Sequence, residues 1–311
     1  MPAPRRILCI GHSALDRIYR IEAFPPEPTK VRAIEHVEAG GGMAANAAVT
    51  IARLGGKAEL WSRVGDDAAG MTIKAGLKAE RVDVRYVQAF EDARSSTSAV
   101  IVDDRGERLI IGQRDTGMPS STDWLPMERI KDMHAVMGDV RWLEGLRAVF
   151  SRARQEGIPT ILDADLGARE VLPEILELTD YAIFSKPALR EFSGHAADNP
   201  DLGPALDQVL SLGSMHAGVT LGALGYRWHE KGALGNLLTG HVPAPNVDVI
   251  DTTGAGDAFH GAFALMLAEG HPVQLCATIA CEVAAKKCTR LGSRAGLPRR
   301  SEVAALVDVK G

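Results

Sequence analysis

Short apolar runs of strand length alternate along the chain with longer segments of helical periodicity. The strand-length runs are RILCIG, AELWSRVG, HAVMGDV, PTILDAD, YAIFS and AGVTLG, and helical segments such as MAANAAVTIARLGG and LEGLRAVFSRARQEG lie between them. In the second of these helices an apolar stripe runs from Leu143 to Phe150, and the pattern stops before Gly157. Buried strands interleaved with amphipathic helices predict an α/β fold with a mostly parallel central sheet flanked by helices.

Two regions depart from this alternation and predict a second, smaller sheet. Residues 18–37 form two alternating segments around a Pro-rich turn, and residues 96–111 form two strands around a polar turn. Because an isolated hairpin is marginally stable in water, we expect the two antiparallel pairs to share one sheet that projects from the body. The chain is therefore predicted to be a single domain over residues 1–311, with lid segments at about 17–38 and 96–112 inserted in it.

Composition narrows the classes of function. The 311 residues carry a formal charge of -5, are 46% hydrophobic and only 5% aromatic, and contain no block of like charge. Such a chain is not expected to bind nucleic acid, which requires basic patches or aromatic stacking platforms. The N-terminal apolar run is too short for a membrane span, and four cysteines without metal-site spacing are interpreted as buried, reduced thiols. We therefore expect a cytoplasmic protein that does not enter a membrane.

The stretch DTTGAGDAFHGAFA, residues 251–264, carries the strongest chemical signal. Gly254, Ala255 and Gly256 have little side chain, so a ligand can approach the backbone closely, and an apolar helical pattern begins directly after them. The amides and the dipole at a helix N-terminus attract an anion such as a phosphoryl group. Asp257 beside such a site is unfavourable unless it abstracts a proton from an attacking hydroxyl. The alternative is an ordinary acidic residue in a first helical turn.

A second glycine cluster, Gly40-Gly41-Gly42, opens the helical segment MAANAAVTIARLGG, and Asn46 follows one turn later. The pattern indicates close backbone approach by a substrate and an amide offered to its hydroxyl groups. The alternative is a tight turn with an exposed asparagine. The cluster is neither a Walker loop nor a dinucleotide-binding GxGxxG motif.

These two stretches together resemble the signatures of the ribokinase-like (PfkB) carbohydrate kinases, and the resemblance extends over essentially the whole chain. It implies the ribokinase-like fold and an enzyme that transfers the γ-phosphoryl group of ATP, with Mg²⁺, to the primary hydroxyl of a sugar. Asp257 matches the catalytic base of the family. Gly254, Ala255 and Gly256 match the anion hole that stabilises the transferred phosphoryl group.

The resemblance also implies which residues hold the ligands. The positions that match substrate-binding residues are Asp16, Gly41, Gly42 and Asn46, and those that match nucleotide-binding residues are Ser185, Thr220, Gly222, Gly225 and Gly256. Some members bind a monovalent cation such as K⁺. Here that site would be formed by Asp251 and the carbonyl of Thr253, with backbone oxygens of Lys287, Arg290 and Gly292.

One position departs from the family pattern. Members often carry Asn-x-x-Glu after a core strand, where it helps to organise metal and phosphates, and this chain has Ser185 and Ala188 there. The departure puts the usual ordering of Mg²⁺ in doubt and leaves the base and the anion hole intact.

Within the family, four segments resemble the bacterial sulfofructose kinases: SALDRIYRIEAFP, SSTSAVIVDDRGERLII, MGDVRWLEG and KKCTRLGSRAGLP. An anionic ketose requires cations, and two candidates are Lys30, in the first lid segment, and Arg141, at the carboxyl end of a core strand where α/β sheets bind ligands. The alternatives are a solvated lysine and a surface ion pair of Arg141 with Asp139 or Glu144.

Several alternatives stay open at this stage. Gly112 stands where sulfofructose kinases have an asparagine, so the sugar is equally a neutral ketose such as fructose or a different anionic sugar. A non-catalytic sugar or nucleotide sensor on the same fold is a further class, although the intact Asp257 argues against it. A nucleoside kinase is disfavoured by a lid that is short of aromatic residues. Exposed lid edges favour a homodimer.

Overall fold

Strands and helices alternate through most of the molecule. The structure is a computed structural model, and it describes residues 3–105, 107–195 and 200–308. The strands are β1 (Arg6–Gly11), β2 (Ala14–Arg20), β3 (Glu35–Gly41), β4 (Lys57–Gly65), β5 (Asp83–Phe90), β6 (Ser96–Val102), β7 (Arg108–Gln113), β8 (Ala135–Asp139), β9 (Thr160–Ala164), β10 (Tyr181–Ser185), β11 (His216–Thr220), β12 (Tyr226–Lys231) and β13 (Leu237–Val242). The helices are α1 (Met43–Arg53), α2 (Ala68–Ala79), α3 (Leu143–Gln155), α4 (Leu172–Leu176), α5 (Lys186–Ser193), α6 (Gly203–Ser211), α7 (Ala255–Ala268), α8 (Val273–Lys287) and α9 (Ala304–Asp308). The predicted core strands and both quoted helices are confirmed within these bounds.

A nine-stranded sheet of order β13-β12-β11-β10-β9-β8-β1-β4-β5 forms the body. Neighbouring strands run parallel from β5 to β11, and β12 and β13 form an antiparallel edge. Successive side chains of β1 point to opposite faces, so that Ile7 and Cys9 join one buried cluster, and Leu8 and Ile10 join another. Helices cover both faces, which confirms the predicted α/β architecture.

The two predicted hairpins form one four-stranded sheet of order β3-β2-β6-β7. Strands β2 and β3 pair antiparallel, as do β6 and β7, and parallel pairing of β2 with β6 joins the hairpins. The expectation that they share a sheet is confirmed. The first hairpin is longer than predicted, since its pairing extends from Ala14 opposite Gly41 and leads directly into α1.

The edge of the large sheet where its parallel strands end gathers the polar residues of the sequence motifs. The carboxylate of Asp139, the last residue of β8, accepts the backbone N–H of His12 at 2.8 Å and that of Ala44 at 3.0 Å. This ties the end of β1 and the start of α1 to the same point. Helices α1 and α7 pack side by side behind that edge.

The four cysteines are buried free thiols, as predicted. Among the helices of the described ranges, none combines the length and the apolar character that crossing a bilayer requires.

Candidate active site

The start of α7 has the form that the glycine-rich stretch predicts. Gly254, the residue before the helix, has φ +77°, a left-handed conformation that glycine adopts without strain, and it has no side chain to cap the helix amides. A side chain added at Gly256 would meet open space. Helix geometry leaves the amides of Gly256 and Asp257 without intrahelical acceptors, whereas the amide of Ala255 donates to the carbonyl of Thr252 at 3.2 Å. The anion site therefore depends on the amides that follow Ala255.

The carboxylate of Asp257 is held by a chain of hydrogen bonds from distant parts of the sequence. Asn46 Nδ2 donates to Asp257 Oδ2 at 2.7 Å, and Arg294 Nε donates to Asn46 Oδ1 at 2.8 Å. Because a guanidinium group only donates, the oxygen of Asn46 must face Arg294 and its NH₂ group must face Asp257. Arg294 is thus part of the candidate site, and the sequence motifs did not indicate it.

The electrostatic surroundings favour a protonated Asp257. Burial raises the pKa of Asp257 to about 7, and the carboxylates of Asp139, Asp16 and Asp165 act in the same direction, whereas the hydrogen bond from Asn46 lowers it. Burial likewise raises the pKa of Asp163, whose Oδ2 has no hydrogen bond and lies 3.5 Å from His260 Nδ1. With a pKa of about 7, Asp257 has the proton affinity that a general base needs near neutral pH.

The glycine cluster serves close packing within the protein. A Cβ on Gly40 would overlap the guanidinium of Arg294, and one on Gly41 would overlap the carboxylate of Asp16. Gly42 has φ +91°, and a Cβ there would overlap the backbone of residue 12. The sequence indicated close approach by a substrate, and the structure shows that protein side chains occupy the space at Gly40 and Gly41. Asn46 is buried, not exposed as the alternative required.

A cavity of about 180 Å³ lies between the small sheet and the large one, and it is lined in part by Asp16, Gly42, Ser98, Gln113, Arg114 and Thr253. Ser98 Oγ donates to Asp16 Oδ1 at 2.6 Å. Burial raises the pKa of the Asp16 carboxyl group, and the bond from Ser98 opposes this rise. The cavity is smaller than the ~300–1,000 Å³ typical of drug-sized ligands, which suits a single sugar.

A larger cavity of about 620 Å³ brings together four of the predicted nucleotide-binding residues, Thr220, Gly222, Gly225 and Gly256, and Ala255 of the predicted anion hole also lines it. Its other walls come from residues 244–247 and 249 and from the C-terminal half of α8, including Cys281, Ala284 and Ala285. The sequence did not indicate these walls, because small apolar residues on a helix have the same pattern whether they face the core or a ligand.

Ser185 lies at the carboxyl edge beside Asp165 and Arg141. Its hydroxyl donates to Asp165 Oδ1 at 3.2 Å and accepts the amide of Ala188, so that Ser185 caps the N-terminus of α5. Arg141 Nη2 donates to Asp165 Oδ2 at 2.7 Å, and Nη1 donates to the carbonyl of Leu166 at 3.0 Å. Arg141 therefore forms an ion pair, as the alternative interpretation expected, but its partner is Asp165 and not Asp139 or Glu144.

Lys30 is not brought to the site. It is exposed in the loop of residues 21–34, beyond the point where Arg20 pairs with Glu35. On β2, Asp16 lies four residues before Arg20, the last residue of the strand, which corresponds to roughly 13 Å of strand. Lys30 is therefore exposed to solvent, which was the alternative interpretation of this residue.

The predicted cation site differs most from expectation. The Nζ atom of Lys287 donates to the carbonyl oxygen of Asp251 at 2.6 Å, so Lys287 contributes its ammonium beside Asp251, whereas the prediction used only its backbone oxygen. The carboxylate of Asp251 accepts the amide and hydroxyl of Thr253 and the amide of Gly292. Arg290 is exposed nearby. The residues present do not fit the predicted ion.

A comparison with known proteins identifies the family. The model of the pfkB family carbohydrate kinases matches residues 4–300. The chain belongs to this family. It is 28% identical over 307 residues to a ribokinase of Bacillus subtilis, covering 98% of this chain and 100% of that one, and 29% identical over 295 residues to a fructokinase of Vibrio alginolyticus, covering 85% and 90%.

Solved structures agree with this assignment of fold. A protein from Agrobacterium tumefaciens provisionally described as a ribokinase superposes with a TM-score of 0.91 at 33% identity, over 98% of both chains. The Arabidopsis thaliana ribokinase, in complex with ribose and ATP, has a TM-score of 0.85 at 23% identity, over 98% of this chain and 99% of that one. The fold is ribokinase-like, and the protein is an ATP-dependent carbohydrate kinase of the ribokinase and fructokinase type.

The hydrogen bond from Asn46 gives a prediction about pH. Since the base must be ionised, kcat/KM should rise with pH through an apparent pKa of about 7. Asn46→Leu removes the donor that lowers the pKa of Asp257, so the rise should move to higher pH. Ser98→Ala is the control, because it removes a donor from Asp16 and should change KM for the sugar with the rise left in place. A pH profile of Asn46→Leu that coincides with that of the wild type would contradict this role.

Proposed function

We propose that this kinase transfers the γ-phosphoryl group of ATP to a hydroxyl of a sugar, with Asp257 as the general base. One observation carries the proposal: residues 252–256, which lead directly to Asp257, contribute to the walls of both cavities. Thr252, Ala255 and Gly256 line the larger cavity, and Thr253 lines the smaller one. A nucleotide in the first and a sugar in the second would meet at the start of α7.

In the smaller cavity, Asp16 and Ser98 would hold the sugar by hydrogen bonds to its hydroxyl groups. The acceptor hydroxyl would then face Asp257, whose pKa of about 7 is close to the value at which a general base is most effective at neutral pH. Asn46 would keep the carboxylate in one orientation while it accepts the proton. Holding the reacting groups together in this way removes much of the entropic barrier to reaction.

Negative charge on the transferred phosphoryl group would be stabilised by the start of α7. The amides of Gly256 and Asp257 and the positive end of the helix dipole would face it. Because Gly256 carries no side chain, the phosphoryl oxygens can approach the backbone closely. Phosphoryl transfer depends mainly on such positioning and charge stabilisation.

The nucleotide base would lie in the larger cavity against Val247, Val249 and Phe259. Mg²⁺ bound to the phosphates would neutralise their charge, and it typically needs only one or two protein carboxylates. Asp165, which is partly exposed at the carboxyl edge and pairs with Arg141, would be a carboxylate for that role. Within the described ranges no three His, Cys, Asp or Glu residues are grouped to hold a metal ion by themselves.

Two substrate classes are considered, and a neutral sugar such as fructose or ribose is the first. Arg141 is neutralised by Asp165, and Lys30 lies away from the smaller cavity, so the two cations expected to bind an anionic group are not offered to it. An anionic ketose such as 6-deoxy-6-sulfofructose is the second candidate, because Gln113 and Arg114 line the smaller cavity. We further propose that the whole chain acts as one domain and forms a homodimer, which the exposed Ile110 and Ile111 on edge strand β7 support.

Replacing the base tests the mechanism. Asp257→Asn keeps the size of the side chain and should lower kcat by about 10²–10⁴-fold with little effect on ligand affinity. The same variant should be no less stable than the wild type above pH 7, because a carboxyl group whose pKa is raised on folding costs stability once it ionises. Asp207→Asn, at an exposed carboxylate that pairs with His229, is the control. Turnover near the wild-type value in Asp257→Asn would exclude the assignment.

The substrate class is tested by measuring ATP consumption with ribose, fructose, a sulfonated ketose and a phosphorylated ketose. A neutral sugar should give the highest kcat/KM, and Arg114→Met should then change it little. Arg105→Met is the matched control, at an exposed arginine in the turn between β6 and β7. A preference for the charged ketoses that is lost in Arg114→Met, by about 2–5 kcal/mol, would instead establish the anionic class.

A further inference from the structure

The side chain of Lys287 is completely buried beneath the loop that forms the anion site. It comes from the last residue of α8, and its Nζ lies 2.6 Å from the carbonyl oxygen of Asp251 and 3.8 Å from Asp251 Oδ2. The exposed fractions of the two side chains are 0% and 2%. Burying an ammonium group costs free energy unless a carboxylate and hydrogen-bond acceptors compensate its charge. Here the carboxylate and the carbonyl oxygen of Asp251 provide that compensation.

The carboxylate of Asp251 is fixed by three donors on two segments. Oδ1 accepts the amide of Thr253 at 2.9 Å and its hydroxyl at 2.7 Å, and Oδ2 accepts the amide of Gly292 at 2.8 Å. The amides of Ile250 and Asp251 donate to the carbonyl of Cys288 at 2.8 and 3.1 Å. The segment that leads into residues 252–257 is therefore bound to the end of α8 and to the turn that follows it.

We propose that the ammonium of Lys287 is a built-in replacement for a monovalent cation, so that this enzyme works without K⁺. A K⁺ at the predicted site would lie against Asp251, where the Lys287 ammonium already lies 2.6 Å from the carbonyl oxygen and 3.8 Å from Oδ2. The ammonium supplies the same unit positive charge behind the amides that face the phosphoryl group. The inference deepens the proposed function, on which its kinetic measurement depends, and its binding measurement does not.

Lys287 is thus a positioning residue with an electrostatic contribution. It holds the carbonyl of Asp251 and balances the Asp251 carboxylate, which orders Thr253 and so fixes the backbone that enters Gly254. The kinase with Lys287 intact should have no place for a second cation, because two positive charges at this distance would repel each other in a poorly solvated site. Removing the side chain should leave a cavity lined by the carbonyl and carboxylate oxygens of Asp251.

The kinetic test compares activity in buffers whose only added cation is K⁺, Na⁺ or N-methylglucamine. Wild-type kcat should be the same in all three. Lys287→Ala should lose about 10–100-fold in kcat without K⁺, as is usual for residues that orient groups in contact with substrate, and K⁺ should restore a large part of it. Lys286→Ala is the matched control, because Lys286 is the preceding residue, is half-exposed and pairs with Glu282 on the same helix.

The binding test needs no sugar. The Tm of the wild type should respond equally to K⁺ and Na⁺, whereas the Tm of Lys287→Ala should rise specifically with K⁺, because a ligand that binds only the folded state stabilises it. Anomalous scattering from Rb⁺ should appear beside the Asp251 carbonyl in crystals of the variant only. If Lys287→Ala does not fold, Lys287→Met replaces it in both tests and should be inactive without K⁺ rescue.

Three results would overturn the inference: strong and specific activation of the wild type by K⁺, Rb⁺ bound beside Asp251 in the wild type, or full K⁺-independent activity in a folded Lys287 variant. An enzyme that phosphorylates none of the sugars but shows the predicted Tm pattern would retain the inference about Lys287 and refute the proposed function.

Discussion

The hydrogen bonds from Arg294 through Asn46 to Asp257 are the contacts on which the rest of the site depends. They connect the turn after α8, the first turn of α1 and the first turn of α7. Arg294 is almost fully buried, and although burial lowers its pKa to about 10, it stays cationic at neutral pH. Its charge orients an uncharged amide, and the amide in turn orients a carboxylate without neutralising it. A direct ion pair would have lowered the pKa of Asp257 and weakened it as a base.

The site is crowded with carboxylates, and the structure joins three neighbouring cations to one of them or to an amide. Arg141 pairs with Asp165, Lys287 with Asp251, and Arg294 bonds to Asn46. Asp257 has no cation in contact among the hydrogen bonds of the described residues, and burial raises its pKa to about 7. This distribution of charge costs stability at Asp257, as is typical of functional sites, and it agrees with the proposed role of Asp257 as the base.

The sequence predicted local features well and long-range contacts poorly. The strands and helices, the shared small sheet, the family and the glycine-rich start of α7 were all readable from periodicity and motifs, because each depends on residues close together in the chain. Arg294 was missed because its partner, Asn46, lies 248 residues away and no local pattern marks Arg294 itself. Lys287 was identified only through its backbone, since no sequence pattern tells whether a lysine after an apolar helix folds inward or into solvent. The partner of Arg141 was likewise set by the packing of adjacent strands.

The most direct test of the central claim is a crystal structure with a sugar substrate and a non-hydrolysable ATP analogue. The account predicts the sugar in the smaller cavity with its acceptor hydroxyl within about 2.6–3.2 Å of the Asp257 carboxylate. The terminal phosphate should face the amides of Gly256 and Asp257, in line with that hydroxyl. A sugar bound with no hydroxyl near Asp257, or a terminal phosphate held away from the start of α7, would contradict the account.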